Sequence, residues 1–316
     1  MSTRSSESLA SLLLVQRVAP APVDPLKPRD FWALATRTSS LGALLGKTAS
    51  QIEAELGLEA SLSEQVAGRL GVSSQLGPSL EELAERGISA VTGVDESYPS
   101  RLRDRLHDGA PPVLYVAGDA ALLAEPMLGI VGSRNVDEEG ADVARAAARE
   151  AVRHRHGVAS GGAKGVDQLS MRAALESNGI VAGVLADSLL RSLRQPANAE
   201  AVADGRVCLC TPYAPDAGFS VGRAMGRNKV IYALAAATLV VATDEGSGGT
   251  WAGAEEAAKK HLGPVLAWTG AGAGPGNRTL VSRGAAEIAA IDELFPLPEQ
   301  DPRVPAPGAE QLGLEL

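Results

Sequence analysis

The chain has 316 residues, 45% hydrophobic but only 3% aromatic, which is enough apolar material for one large α/β domain plus a smaller unit with cores of Ala, Val, Leu and Ile. Its formal net charge of −9 repels a phosphate backbone, so any nucleic-acid site has to be a local basic patch. Cys208 and Cys210 lie two apart on one face of an apparent strand, too close in sequence for an ordinary disulfide, and no His or further Cys stands at ligand spacing; they read as reduced core thiols, and no metal or cofactor is expected.

In chain order, the apolar stretch Leu9–Val15 is preceded by Glu7 and soon followed by Arg17, which is too short and wrongly flanked for a secretory signal. It predicts one amphipathic helix. No other run approaches a membrane span, so a cytoplasmic protein without a membrane partner is expected. The proline-rich stretch after Val18 closes an N-terminal segment, residues 1–30. Residues 31–94 read as a small helical domain (SAM- or HhH-like), with short helices at Phe31–Thr36, Leu41–Leu45, Ala49–Leu56, Ser61–Leu70 and Ser79–Arg86.

Residues 95–295 alternate apolar runs with helical patterns, which predicts an α/β fold: a doubly wound, mostly parallel Rossmann-like sheet. Strands are expected at Leu128–Val131, Gly157–Ala159, Ile180–Leu185, Arg206–Cys210, Thr238–Ala242 and Pro264–Trp268. Helices are expected near Glu139–His154, Val166–Ser177, Ala197–Ala203, Arg227–Ala236 and Thr250–Lys260. Residues 296–316, rich in Pro, Gly and acid, predict a disordered tail.

In such a sheet, ligands bind where strands end and helices begin, because backbone N–H groups and helix N-termini favour anions. Four loops are unusual. Gly132, Ser133 and Arg134 follow the first strand as either an anion site or a tight turn with a surface Arg; a full dinucleotide fingerprint is missing. Ser160-Gly161-Gly162-Ala163-Lys164-Gly165-Val166-Asp167 lets backbone approach a ligand closely and adds a cation, although it is no Walker A loop; Asp167 reads as the cap of the next helix. A third segment gathers Arg223, Arg227, Asn228 and Lys229 around a helix start, either a phosphate site or a solvated face. The fourth, Asp244–Thr250, carries Gly248, Gly249 and Thr250, the last a cap or a phosphate ligand.

With these loops in place, the chain resembles the DNA-processing protein A (DprA/Smf) family over about Leu41–Trp268. The lead-in runs from Asp95 to Leu102 and from Pro111 to Gly118. The family's G-S-R loop falls on Gly132, Ser133 and Arg134. Its S-G-x-A-x-G-I-D segment falls on Ser160, Gly161, Ala163, Gly165 and Asp167, with a basic residue at Lys164. Its F-x-x-R-N-R segment falls on Arg227, Asn228 and Lys229, at longer spacing from Phe219. The resemblance implies a basic pocket for single-stranded DNA, loading of RecA during natural transformation, and a homodimer. Departures are Met171 where the family places His, Gly248-Gly249-Thr250 in place of the usual loop, and no winged-helix domain following.

Three functions are compatible with these loops. The first is a non-enzymatic binder of single-stranded nucleic acid, in which Arg134, Lys164, Arg223, Arg227 and Lys229 neutralise phosphates; with so few aromatics, only Phe219 and Tyr213 are candidates for base stacking. The second is a phosphoribohydrolase-like enzyme, suggested by a G-G-x-G-T-x-x-E loop, but the position of its catalytic Glu is Gly253 here, with Glu255 and Glu256 later on the helix. The third is a sensor of a small nucleotide at the same loops. The four His residues have no nucleophile partner and no catalytic triad is evident.

Overall fold

The computed structural model describes residues 4–298, so residues 299–316 of the expected disordered tail lie outside the described residues. The chain divides into two compact units, one made of the chain up to Ala124 with Leu185–Ser220, the other of Glu125–Val184 with the chain from Val221 onward.

The first unit opens with α1 (Ser6–Val15), started by the Ser5 hydroxyl, which accepts from the Ser8 amide. The expected amphipathic character is not found. Ser8 and every residue from Ala10 to Val15 are buried, which makes α1 a core helix of its unit. Then come α2 (Pro28–Arg37), with Pro at its first turn, and α3 (Ala49–Leu56), with a reciprocal Thr48–Gln51 capping box. α4 (Ala60–Leu70) and α5 (Ser73–Glu85) complete the helical stretch; α5 starts at Ser73 rather than Ser79, and Leu41–Leu45 holds only a 3-10 turn over Gly42–Leu44.

In this unit the sequence reading missed two strands, β1 (Ile88–Thr92) and β2 (Val113–Ala117), which flank α6 (Ser100–Leu106) and pair antiparallel, with Ile88 opposite Ala117. β2 is buried at every position, so it lacks the alternation that marks a half-exposed strand. The chain enters the second unit with β3 (Met127–Val131), α7 (Glu138–Arg153), β4 (Gly157–Ser160), α8 (Val166–Glu176) and β5 (Val181–Val184). It returns to the first with α9 (Leu189–Leu193), α10 (Pro196–Ala203) and β6 (Val207–Thr211), which pairs antiparallel with β2. On β6, Cys208 and Cys210 are buried free thiols, and burial pushes the Cys210 thiol up to about 12.

The second unit is completed by α11 (Val221–Leu234), β7 (Ala237–Val240), α12 (Gly248–Lys259), β8 (Val265–Trp268), α13 (Asn277–Ser282) and β9 (Ala286–Ile288). Its strands run in the order β5-β4-β3-β7-β8-β9, and all five pairings are parallel. That is the order of a Rossmann-like doubly wound sheet, with the topological switch between β3 and β7. The Ala-rich face of α7, including Ala144, Ala147, Ala148 and Ala151, is buried. Just past its end stand the exposed His154 and the half-buried His156, whose rings meet Phe295 at 4.4 and 5.0 Å between centroids.

A glycine-rich loop after β8, Gly270–Gly276, leads into Asn277, whose side chain is fully buried. Asn277 Oδ1 accepts from the Thr243 amide (3.0 Å), while Nδ2 donates to the carbonyls of Val240 (3.1 Å), Val241 (2.9 Å) and Trp268 (2.7 Å). One side chain thus fastens the carboxyl ends of β7 and β8. Asn277→Ala strands a buried amide and three carbonyls, and the expected loss is roughly 2–4 kcal/mol of unfolding free energy, read from urea denaturation with an unchanged m-value.

Candidate nucleic-acid interface

All fourteen site residues singled out in the sequence belong to the second unit, on the loops after β3, β4 and β7 and on the helices α11 and α12. The β3 loop starts at Gly132, whose missing side chain leaves room for Val166, at 2.6 Å from the position a Cβ would take. The Ser133 amide donates to the Ala242 carbonyl (2.9 Å), and the Thr250 hydroxyl donates to the Gly132 carbonyl (3.1 Å), so the β3 and β7 loops are tied across the switch point. Ser133 also accepts twice: its hydroxyl from the Asn135 amide (3.1 Å) and its carbonyl from the Val166 amide (3.3 Å). Arg134, next in the chain, is exposed.

In the β4 loop, Ser160 is buried and donates to the Ile130 carbonyl (2.6 Å). Gly165 has φ of 86°, and a Cβ there would stand 2.7 Å from the Arg134 carbonyl oxygen and closer still to that of Ser133. Lys164 is exposed and has no acidic partner among the described residues.

Asp167 does not cap α8 as expected. It is the second helical residue, and its carboxylate turns back to accept from the amides of Gly161 (3.2 Å) and Ala163 (3.4 Å). Burial pushes this carboxyl above its ordinary range, against the opposing pull of the Arg227 guanidinium and the two amides.

α11 begins at Val221, six residues before the start expected from the sequence, so Arg223 and Arg227 lie one turn apart on one helical face. Arg227 is 6% exposed; its Nη1 donates to the Val184 carbonyl (3.3 Å) and lies 3.9 Å from Asp167 Oδ2. Arg223 is half-buried. Asn228 Nδ2 donates to the Gly249 carbonyl (3.1 Å), tying α11 to the β7 loop. Lys229 Nζ lies 3.0 Å from Glu256 Oε1, and the same oxygen receives Lys260 at 2.7 Å. Burial pushes Glu256 up, but hydrogen bonds from Lys260 and Lys229 outweigh it and hold the carboxyl below its usual range.

Gly248 (φ 84°) and Gly249 are exposed and open α12 without a side-chain cap from Ser247. Further along α12, Glu255 pairs with Arg283, and the Gly253 position faces Asn228. The sites therefore fall into two sets. Arg134, Lys164, Gly248 and Gly249 are exposed and Arg223 is half-buried, whereas Ser160, Arg227, Lys229 and the Thr250 hydroxyl are engaged by the neighbours named above. Phe219 and Tyr213, the stacking candidates, belong to the first unit; Phe219 is 52% exposed and Tyr213 half-buried. Two residues that hold this face were missed as such: Asp167, misread as a helix cap, and Asn277, for which the glycine density of residues 270–276 was the available signal. No group of His, Cys, Asp and Glu among the described residues is arranged to hold a metal.

The second unit is thus a parallel sheet of Rossmann order, with glycine-rich loops and the exposed cations Arg134 and Lys164 at its carboxyl ends. The family model for DNA recombination-mediator protein A matches residues 89–297, and the chain belongs to that family. A DNA processing protein DprA of Mycobacterium tuberculosis is 31% identical over 235 residues, 68% of this chain and 59% of that protein. The Bacillus subtilis DNA processing protein DprA is 34% identical over 103 residues, 32% of this chain and 34% of that one. The chain thus spans less than two thirds of the length of these relatives. Among solved structures, DNA processing protein A from Streptococcus pneumoniae superposes with a TM-score of 0.61 at 20% identity, covering 85% of this chain and 96% of that one. The Helicobacter pylori protein, whose structure describes its single-stranded DNA binding mode, gives 0.53 at 23% identity, with 65% and 93% covered. Both likenesses carry the fold.

Gly165→Ala tests how tightly the loops are stitched. A methyl group there meets two carbonyl oxygens at a positive φ, and the expected cost is about 2 kcal/mol or more in chemical denaturation, with the amides of residues 161–166 losing protection in hydrogen exchange.

Proposed function

We propose that this chain binds single-stranded DNA without catalysing a reaction on it, through the loops at the carboxyl ends of β3, β4 and β7. The observation that carries the reading is the pair of exposed cations Arg134 and Lys164 on the β3 and β4 loops, with the half-buried Arg223 on the first turn of α11, at the switch-point edge of an otherwise acidic protein. Cations and glycine backbone suit phosphates, not base edges, so the binding is weakly sequence-specific and salt-sensitive. Family membership and the single-stranded DNA binding of the H. pylori relative support the same reading. Loading of RecA, assembly as a homodimer, a cytoplasmic location and a role in natural transformation belong to this proposal through the family. Among the described residues no helix is long and apolar enough to cross a membrane. The phosphoribohydrolase reading lacks support, because Gly253 occupies the expected Glu position and Glu255 and Glu256 are held in ion pairs.

Fluorescence anisotropy of a labelled single-stranded oligonucleotide over a salt series tests the proposal. Wild type is expected to bind with log K falling linearly against log salt. Lys164→Glu and Arg134→Glu, both at exposed positions, are expected to weaken binding and to flatten the slope by about 0.7 for each phosphate no longer neutralised. Failure of the folded wild type to bind at low salt overturns the proposal.

A further inference from the structure

The basic run of α11 reads in sequence as a set of phosphate ligands, but its most conspicuous cation has no surface to offer one. The Arg227 guanidinium lies directly against the α-carbon of Gly161, where a Cβ would fall on it, and Arg227 is only 6% exposed. Its Nη1 reaches the Val184 carbonyl at the end of β5 and the Asp167 carboxylate, itself 6% exposed. Asp167 in turn accepts from the amides of Gly161 and Ala163, the latter immediately before Lys164. One turn before Arg227, on the same face of α11, stands Arg223.

We infer that Arg227 and Asp167 form a positioning pair: buried beneath the β4 loop, they set the distance between Lys164 on that loop and Arg223 on α11, so that the two cations meet neighbouring phosphates of one strand. The inference rests on the proposed DNA reading and assigns Arg227 a place behind the site. Both contacts are made by Nη1, which the planar guanidinium holds in place against Gly161; a lysine ammonium on a flexible stem does not reproduce that fixed orientation.

The test is a double-mutant cycle of Arg227→Lys and Lys164→Gln, read by anisotropy with labelled oligothymidylate at fixed salt. Arg227→Lys keeps the charge, yet is expected to weaken binding by about tenfold in wild type and by only about twofold in the Lys164→Gln background, as for residues coupled through one network. Equal losses in both backgrounds overturn the inference. A second measurement uses the unaltered protein and does not depend on the variants folding: arginine modification by phenylglyoxal, mapped by peptide mass. Arg134 is expected to react and to be shielded by the oligonucleotide, whereas Arg227 stays unmodified with or without it. Modification of Arg227 in the free protein, abolished by the oligonucleotide, makes it a direct ligand and overturns the pair. Absence of wild-type oligonucleotide binding is a different result, because it removes the DNA reading itself.

Discussion

The candidate face depends on close approaches to glycine backbone at positions where no side chain fits. Gly165 sits against the carbonyls of Ser133 and Arg134, and Gly161 sits on the Arg227 guanidinium. Two glycines of the β8 loop play the same part at one remove: a Cβ on Gly272 would meet the backbone of Glu139 and Gly140, and one on Gly274 the backbone of Thr243. Because the loops approach this closely, their polar groups can satisfy one another, through Ser133 to Ala242, Val166 to Ser133, Thr250 to Gly132 and Thr243 to Asn277. The result is irregular backbone held in fixed geometry, which lets loop residues act as a preset surface.

Charge in this unit follows a similar division between holding and presenting. Arg227 and Asp167 are both taken out of water, which is costly for two ions, and the cost is offset by direct pairing and by the carbonyl and amide partners each of them has. Lys229 is drawn to Glu256 together with Lys260. Along α11, burial deepens from the half-buried Arg223 at the first turn to the enclosed Arg227 one turn later, and Lys229 beyond it is half-buried again. Within a chain of net charge −9, the acids Asp167 and Glu256 are paired locally with cations of α11 and α12, while Asp244 and Glu245 of the β7 loop are exposed.

Much of the architecture was legible in the sequence. The strand at Gly157–Ala159 appears as Gly157–Ser160, and the helix near Glu139–His154 as Glu138–Arg153, because long apolar periods and glycine punctuation carry those elements. β1, β2, α13 and β9 were not recognised: each is short, and its apolar run has no length or alternation to set it apart from a loop. The loops were legible as glycine-rich and cationic, but the duties of their side chains were not. A hydroxyl such as that of Thr250 reads the same whether it caps a helix, meets a phosphate or, as here, donates to Gly132 from far along the chain. The burial of Arg227 was equally hidden, since it follows from Gly161 and Val184, residues that only the fold brings to it.

The two sets of residues should respond differently to change. Groups that hold the face, such as Asn277, Asp167, Arg227 and Gly165, have several backbone partners or no steric freedom, so replacing one shifts the positions of many atoms at once. Groups that face outward, Arg134 and Lys164, are single charges at exposed positions, and in the proposed reading each would alter a polyanion's affinity by one screened increment. In the proposed DNA reading, a chain with few aromatics and a net negative charge would tune its grip on a phosphate backbone one cation at a time, while the buried stitching would keep the spacing of those cations constant.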